Sequence, residues 1–210
     1  MKIYSKFNNL KREKQKEIIN TAIKEFVQSG FKKASTNEIV QRANISKGSL
    51  FNYFNSKKDL YLYLIDYGSQ IIKDLNNQID LSESDVFKRI EKIGLQKFYV
   101  QQRYPQVFDF LVSTKQEESP EVKVIIQQKL DPLYDQSMNK LYEDIDYSKF
   151  RKEIDIEKAI EILTWTMFGI GEKGLKQMAS FEDVGEFGEF YLKEWEIYAD
   201  ILKYSFYKER

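Results

Sequence analysis

Hydrophobic residues recur at helical spacing along nearly the whole chain. In the first long segment, one stripe collects Ile18, Ile19, Ala22, Ile23, Phe26 and Val27, and most charged residues lie off it. The chain holds only 9 Gly and 3 Pro, which favours long helices over many short strands. No segment alternates convincingly like a strand. The pattern predicts an all-α protein of about nine helices.

Capping residues and prolines indicate where these helices begin and end. Ser35 and Glu38 form a capping box at the start of the second helix, and Ser46 can cap the third. Gly30 is expected to end the first helix, because glycine readily adopts the left-handed conformation. Ser56 is expected to cap a long fourth helix. The later helices are predicted near residues 86–102, 105–112, 120–142, 155–178 and 183–207.

Residues 44–46 form a three-residue turn between the second and third helices, which is typical of a helix-turn-helix. Ala43 is small where the two helices must approach, and Ile45 places an apolar anchor in the turn. Leu50 and Phe54 give the third helix an inward side. Its other side carries residues suited to phosphates and base edges: Lys47, Gly48, Ser49, Asn52 and Tyr53. From this pattern alone, a helical hairpin with a solvated side is an equally good interpretation.

The composition removes most enzymatic chemistry. The chain contains no Cys and no His, so thiolate metal sites, cysteine nucleophiles and imidazole bases are excluded. The one dense acidic cluster, residues 143–146, falls in a predicted loop, where it does not form a helical carboxylate site. We therefore predict no catalytic residues, no metal and no cofactor.

The net charge of +0 conceals two oppositely charged parts. Residues 1–60 hold 13 basic and 5 acidic residues, a net charge of +8, and the remaining residues carry −8. Such asymmetry indicates a segment that binds a polyanion, although a solvated basic helix without a partner would also fit. The balanced total therefore says nothing against nucleic acid as a partner.

The N-terminal residues resemble the DNA-binding domain of the tetracycline-repressor (TetR) family of bacterial regulators. The resemblance covers about the first 65 residues and keeps the order and spacing of the matching positions throughout. Beyond it, the chain is similar to the family only in length and helical plan. The matching positions are Ile18, Ala22, Phe26, Gly30, Phe31, Thr36, Ile39, Ala43, Ile45, Ser46, Lys47, Gly48, Ser49, Leu50, Phe51, Phe54, Ser56, Lys57 and Leu60.

The resemblance implies specific contacts with double-stranded DNA. Thr36 would bond a phosphate, and Tyr53 and Lys57 would clamp the backbone. The residues implied to lie at the major groove are Lys47, Gly48, Ser49 and Asn52, and Ser46 is a further predicted DNA-binding residue. Family members usually carry Tyr where this chain has Phe51, so that phosphate bond is lost or is made by another group.

The resemblance also implies the domain plan and the mode of action. Residues 1–56 would form the DNA-binding domain and residues 57–210 a helical domain for ligand binding and dimerisation, with the helix near 57–78 linking them. A homodimer would repress at a palindromic operator, and a small-molecule inducer would release it.

Two sets of C-terminal residues are candidates for the dimer interface and the inducer pocket. The dimer set follows stripes on the last two helices: Ile160, Leu163, Met167, Ile170, Gly174, Tyr191, Trp195, Tyr198 and Leu202. The pocket set is mostly aromatic, which suggests a hydrophobic or aromatic inducer. Its members are Phe98, Tyr99, Arg103, Tyr104, Phe108, Leu111, Tyr134, Met138, Trp165 and Phe168. Each of these residues also suits an ordinary core or surface role.

A cytoplasmic protein is expected, because no apolar run follows the charged start of the chain. The longest uncharged apolar-rich stretch, residues 162–171, is shorter than the roughly 20 residues that span a bilayer. The main alternative function is a helical adaptor that binds a protein partner and no DNA. Steeply salt-dependent DNA binding would separate the two functions.

Overall fold

The computed structural model describes residues 4–177 and 184–208, and only the backbone of residues 174–177, 184, 185 and 187. This part of the chain is all-α, as predicted, and its only β pairing is an isolated bridge between Phe150 and Tyr207. The helices are α1 Ser5–Asn8, α2 Arg12–Lys33, α3 Thr36–Arg42, α4 Lys47–Tyr53, α5 Lys57–Asn77, α6 Val86–Arg103, α7 Pro105–Thr114, α8 Pro120–Tyr142, α9 Ile156–Gln177 and α10 Val184–Phe206. A 3-10 turn covers Tyr147–Lys149. The short α1 brings the number of α-helices to ten where about nine were expected.

The chain divides into two compact units. Unit 1 comprises residues 1–77 and 103–136, and unit 2 comprises residues 78–102 and 137–210. The predicted domain boundary after residue 56 falls inside unit 1, where α5 and α7 both pack against α2. The division into a DNA-binding and a ligand-binding domain therefore stays a prediction about function.

The core of unit 1 forms around the apolar stripe of α2. Ile18, Ala22 and Phe26 are almost completely buried there, as are Leu50 of α4 and Leu60 of α5. Phe26 packs edge to face with Tyr61, with 4.9 Å between the ring centroids, and Tyr61 packs in the same way with Phe110 of α7 at 5.2 Å. Packed aromatic pairs of this kind stabilise beyond their buried area. This core fixes the helices on which the candidate site lies.

The backbone of α2 breaks at Gly30, although helical hydrogen bonding resumes and continues to Lys33. Gly30 has a φ of 67°, in the left-handed region that glycine tolerates. The amide of Phe31, freed by the break, donates a 2.7 Å hydrogen bond to Glu117 Oε2 from the loop before α8. The sequence predicted the break at Gly30. It did not predict the hydrogen bond from Phe31 to Glu117, because Glu117 is distant in the chain.

Unit 2 has its own core, in which Phe87 and Leu163 lie with Trp195, each at most 1% exposed. The fully buried Arg89 donates to three loop carbonyls, those of Leu81, Glu83 and Glu143. A buried cation is costly unless its donors are hydrogen-bonded. These three bonds therefore hold both the loop before α6 and the loop after α8 in place. No helix within the described ranges is long and apolar enough to cross a bilayer.

Candidate nucleic-acid interface

The turn between α3 and α4 has the compact geometry that the sequence predicted. Ala43 is fully buried, and Asn44 has a φ of 46°, a conformation that Asn tolerates better than most residues. Ile45 N–H donates to Val40 O at 3.0 Å, which closes the turn. Lys14 of α2 donates through Nζ to Ala43 O at 2.7 Å and so ties the turn to the core helix.

Both helices of this motif carry the side-chain caps expected from the sequence. Ser35 Oγ accepts from Glu38 N–H, and Ser46 Oγ accepts from Ser49 N–H at 3.0 Å. The hydroxyls of Ser46 and Ser49 also lie 2.8 Å apart in a hydrogen bond. Because these hydroxyls already stabilise the start of α4, a contact of either with DNA would be additional to the cap.

The two sides of α4 separate as predicted. Leu50 and the following Phe54 are each 1% exposed and belong to the core of unit 1. Lys47, Gly48 and Asn52 are exposed, while Ser49 and Tyr53 are partly exposed. In the described part of the chain, the Lys47 ammonium has no hydrogen-bond or ion-pair partner, so it is available to a phosphate or a base.

The three residues predicted to bind the DNA backbone differ in their surroundings. Thr36 is the first residue of α3 and is partly exposed. Tyr53 packs its ring on Phe7, with 6.1 Å between the centroids. Lys57 Nζ donates to Lys32 O and Ala34 O, both at 3.1 Å, and lies 5.0 Å from the centre of the Phe31 ring. A phosphate contact by Lys57 would have to coexist with these bonds.

Sequence reasoning missed the contribution of α1 to this surface. Phe7 is fully buried against Phe54 and Tyr63, with ring centroids 4.9 Å and 5.2 Å away. Lys6, which precedes Phe7 in this short helix, is exposed, and its Nζ donates to Asn52 Oδ1 at 2.5 Å. The sequence feature that could have indicated α1 was an isolated Phe in a polar N-terminal segment.

Acidic groups near the motif are largely engaged within the protein. Glu25, 5% exposed, accepts from Ser35 N–H at 2.9 Å and lies 3.9 Å from Arg42. Glu38 pairs with Arg42 at 3.4 Å, and Glu17 with Lys14 at 2.7 Å. Three of the five acidic residues in the +8 segment are thus paired, which leaves an excess of cations toward solvent.

The residues predicted for a dimer interface lie mainly inside unit 2. Leu163, Ile170 and Trp195 are buried core residues, so they offer no surface to another chain. Ile160, Met167, Tyr191 and Leu202 pack partly buried against that core. Tyr198 is exposed, and the surroundings of Gly174 lie outside the described residues. The physical reason is that α9 and α10 have apolar residues on more than one side, and the stripe chosen from the sequence faces inward.

A different set of apolar side chains on α9 and α10 is exposed. We call it the α9–α10 stripe: Ile162, Trp165, Phe168, Ile197, Tyr198, Ile201 and Tyr204, each between 38% and 79% exposed. The two helices pack against each other, and a shallow cleft of about 150 Å³ lies between them beside Tyr198. Contiguous exposed apolar surface of this kind usually marks an interaction site.

The ten predicted pocket residues are divided between the two units. In unit 1, Leu111 is buried and contacts Gly68, while Arg103 lies 5.4 Å from the centre of the Tyr104 ring. Lys115 lies over the ring of Tyr134, whose pKa is raised by burial and by nearby Asp131. Phe108 is partly buried in α7.

The unit 2 members of the pocket set include three exposed residues, Tyr99, Trp165 and Phe168. Tyr99 stacks at an angle on Phe98 and lines a groove of about 270 Å³ on α6. Met138 packs against the unit 2 core. The ten residues therefore do not converge within either unit, and the inducer pocket stays a prediction.

Residues 18–64 match the model of the family described as bacterial regulatory proteins, tetR family. A curated relative, the uncharacterized HTH-type transcriptional regulator YuxN of Bacillus subtilis (strain 168), is 45% identical over 56 residues. This match covers 27% of the present chain and only 19% of that relative, so the likeness extends over a small part of its length.

Solved structures with the same fold cover nearly the whole chain. A TetR family transcriptional regulator from Chloroflexus aurantiacus J-10-FL has a TM-score of 0.67 at 22% identity, covering 97% of this chain and 98% of that one. A protein of Clostridium perfringens described as a "putative fatty acid metabolism regulator" has a TM-score of 0.64 at 21% identity, covering 86% and 97%. The family is thus described as one of bacterial regulatory proteins, and the Chloroflexus neighbour as a transcriptional regulator.

Proposed function

We propose that this chain, which belongs to the TetR family of bacterial regulators through its N-terminal domain, is a DNA-binding transcriptional repressor that works as a homodimer in the cytoplasm. The observation that carries the proposal is the two-sided α4. Its apolar side is buried in unit 1, and its other side presents an unpaired Lys47 beside Gly48 and Asn52. A helix that is buried on one side and exposes polar and cationic residues on the other suits the major groove.

Affinity and specificity come from different groups in this mechanism. Cations of the N-terminal segment, including Lys11, Arg12 and Lys47, neutralise phosphates and supply salt-dependent affinity for any sequence. Specificity comes from the few side chains of α4 that reach base edges, each worth about 1–3 kcal/mol when well paired. Since α4 contains no Arg, Lys47 is its only long cationic side chain.

The palindromic operator follows from self-association. Two copies related by a two-fold axis present two α4 helices to half-sites about one turn of DNA apart, or roughly 34 Å. We assign the contact to the α9–α10 stripe, because it is the apolar surface on the last two helices that the monomer leaves uncovered. A closed two-fold dimer uses the same patch on both chains.

Release of the repressor from its operator requires an inducer, which we propose is a small apolar or aromatic molecule. Two buried polar atoms in unit 1, Ser69 Oγ on α5 and Gln106 Oε1 on α7, have no protein partner within the described residues. Buried polar atoms are rarely left unpaired, so they would suit a polar group on an otherwise apolar ligand. The Clostridium perfringens neighbour, whose description names fatty acid metabolism, makes acyl compounds the first class to test.

Selection of random duplex DNA on the purified protein tests the proposal. We expect enrichment of a palindrome, with an affinity that falls steeply as salt rises because each neutralised phosphate releases counterions. Lys47→Ala should weaken binding to the selected duplex more than tenfold and leave the helical content unchanged. Lys73→Ala, which removes an exposed cation from α5, is the matched control. Binding of no duplex at all would favour the adaptor function instead.

A further inference from the structure

The four-residue helix α1 is fixed against α4 by aromatic packing. Phe7 contacts Tyr53 and Phe54, and Tyr4 lies 5.5 Å from Phe54 and 5.0 Å from Tyr63, measured between ring centroids. The Tyr4 hydroxyl also donates to Asp59 O at 3.4 Å. Because Phe7 is fully buried, the neighbouring Lys6 is held beside α4 and does not merely trail from a free terminus.

This placement sets the hydrogen-bonding character of Asn52. An ammonium group can only donate, so Lys6 Nζ must face the carbonyl oxygen of the Asn52 amide, and the orientation of that amide is determined. The Asn52 amino group then carries the free donors of the pair. Lys6 retains two more N–H donors and a positive charge next to the occupied oxygen.

An asparagine with both functions free reads adenine, since it accepts from N6 and donates to N7. With Lys6 on its oxygen, that arrangement is disfavoured, because the adenine amino group would approach a site already bearing a cation. Guanine presents two adjacent acceptors in the major groove, N7 and O6, which match a pair that only donates.

We infer that Lys6 and Asn52 act together as one base-reading element that selects guanine over adenine at one position of each half-site. Lys6 is thus a specificity-determining residue contributed by α1, in addition to any attraction to phosphates. The inference rests on the proposed function, because it requires α4 to enter the major groove.

The test compares the base preferences of wild type and three variants by selection from random duplex DNA. Wild type should enrich guanine at one position per half-site, and Lys6→Met should shift the guanine-to-adenine ratio there about tenfold toward adenine. Lys11→Met, which also removes one exposed cation near the N-terminus, should lower affinity without changing any base preference. Asn52→Ala should abolish the preference at that position, whether or not Lys6 is present.

The outcomes separate this inference from the proposed function. If wild type enriches a palindrome and Lys6→Met shows the same base at every position, the inference is overturned while the regulator function stands. If wild type enriches no duplex, the proposed function fails and the inference with it. Circular dichroism and the melting temperature of Lys6→Met should match wild type, since Phe7 and Tyr4 still anchor α1.

Discussion

At the scale of single residues, a substitution at Gly48 should affect the stability of α4 and its proposed contact with DNA in opposite directions. A Cβ atom built on Gly48 would meet nothing closer than Ser46 Oγ at 3.8 Å, which is ordinary contact. Gly48→Ala should therefore stabilise the protein by up to about 1 kcal/mol, the usual gain in a helix. It should nevertheless weaken operator binding, because the added methyl group occupies the exposed side at the start of α4. Urea denaturation and gel-shift titration measure the two effects.

A matched control for Gly48→Ala is Asn20→Ala on the exposed side of α2. Alanine is a better helix former than asparagine, so this change should also stabilise without touching DNA affinity. Unchanged operator binding by Gly48→Ala would mean that the first turn of α4 does not approach the duplex.

Asp85 gives the protein a predictable dependence on acidic pH. Burial acts to raise its pKa, but hydrogen bonds from Lys149 Nζ and from the amides of Lys88 and Phe87 outweigh burial and hold the pKa below its ordinary value. A carboxylate with a depressed folded-state pKa stabilises the protein above the unfolded pKa of about 3.9 and loses that effect as pH falls through its folded value.

Asp85→Asn should thus lower the free energy of unfolding at pH 7 by about 1–3 kcal/mol, since Lys149 and the helix amides lose a charged acceptor. The difference from wild type should begin to shrink as the pH falls below about 4, where Asp85 of the unfolded chain takes up a proton, and should disappear below the lower pKa of Asp85 in the folded protein. Urea denaturation at pH 7 and pH 3 measures it, with the exposed Asp135→Asn as a control. A difference that is equal at both pH values would contradict this account.

At the scale of helices, the backbone break in α2 should make a glycine-to-alanine change at Gly30 destabilising, whereas the same change at Gly48 should be stabilising. Gly30 holds a φ of 67° with a ψ of 168°, a combination that costs a non-glycine residue about 1–3 kcal/mol. Gly30→Ala should lower the free energy of unfolding by that amount, whereas Gly48→Ala should raise it. Space is not the cause, because the nearest atom to a Cβ at Gly30 is Glu117 Oε2 at 3.5 Å. Equal effects of the two substitutions in urea denaturation would show that backbone strain at Gly30 is absent.

Local signals predicted the helices well where capping residues or proline mark an end. The predicted helix over 120–142 coincides with α8, and the Ser46 cap of α4 is confirmed. The helix α1 was missed because four residues without a side-chain cap carry almost no periodic signal, and distant contacts of Phe7 and Tyr4 hold them. The inward side of α9 was taken for a dimer surface, since a helix with apolar residues on two sides does not reveal from sequence which side the monomer covers.

At the scale of the whole molecule, the proposed function requires self-association. In that proposal one α4 contacts one half-site, and its seven residues offer few base contacts, each worth about 1–3 kcal/mol. Two copies joined through a fixed surface double those contacts and make the second binding event intramolecular. Loss of the dimer should therefore reduce operator affinity far more than loss of a single base contact.

The α9–α10 stripe is the surface on which this argument can be tested. Trp165 and Ile201 are 66% and 57% exposed, so the double variant Trp165→Glu, Ile201→Glu should fold normally, because neither side chain belongs to the core. Light scattering should then give the mass of one 25.1 kDa chain where wild type gives two. Operator binding should fall at least a hundredfold, while binding to nonspecific DNA, which depends on cations near α4, should change little. The control is Val112→Glu, Val124→Glu, which places the same charges on exposed valines of unit 1 and should stay dimeric. A dimer that survives the stripe variant would place the two-fold contact on another surface.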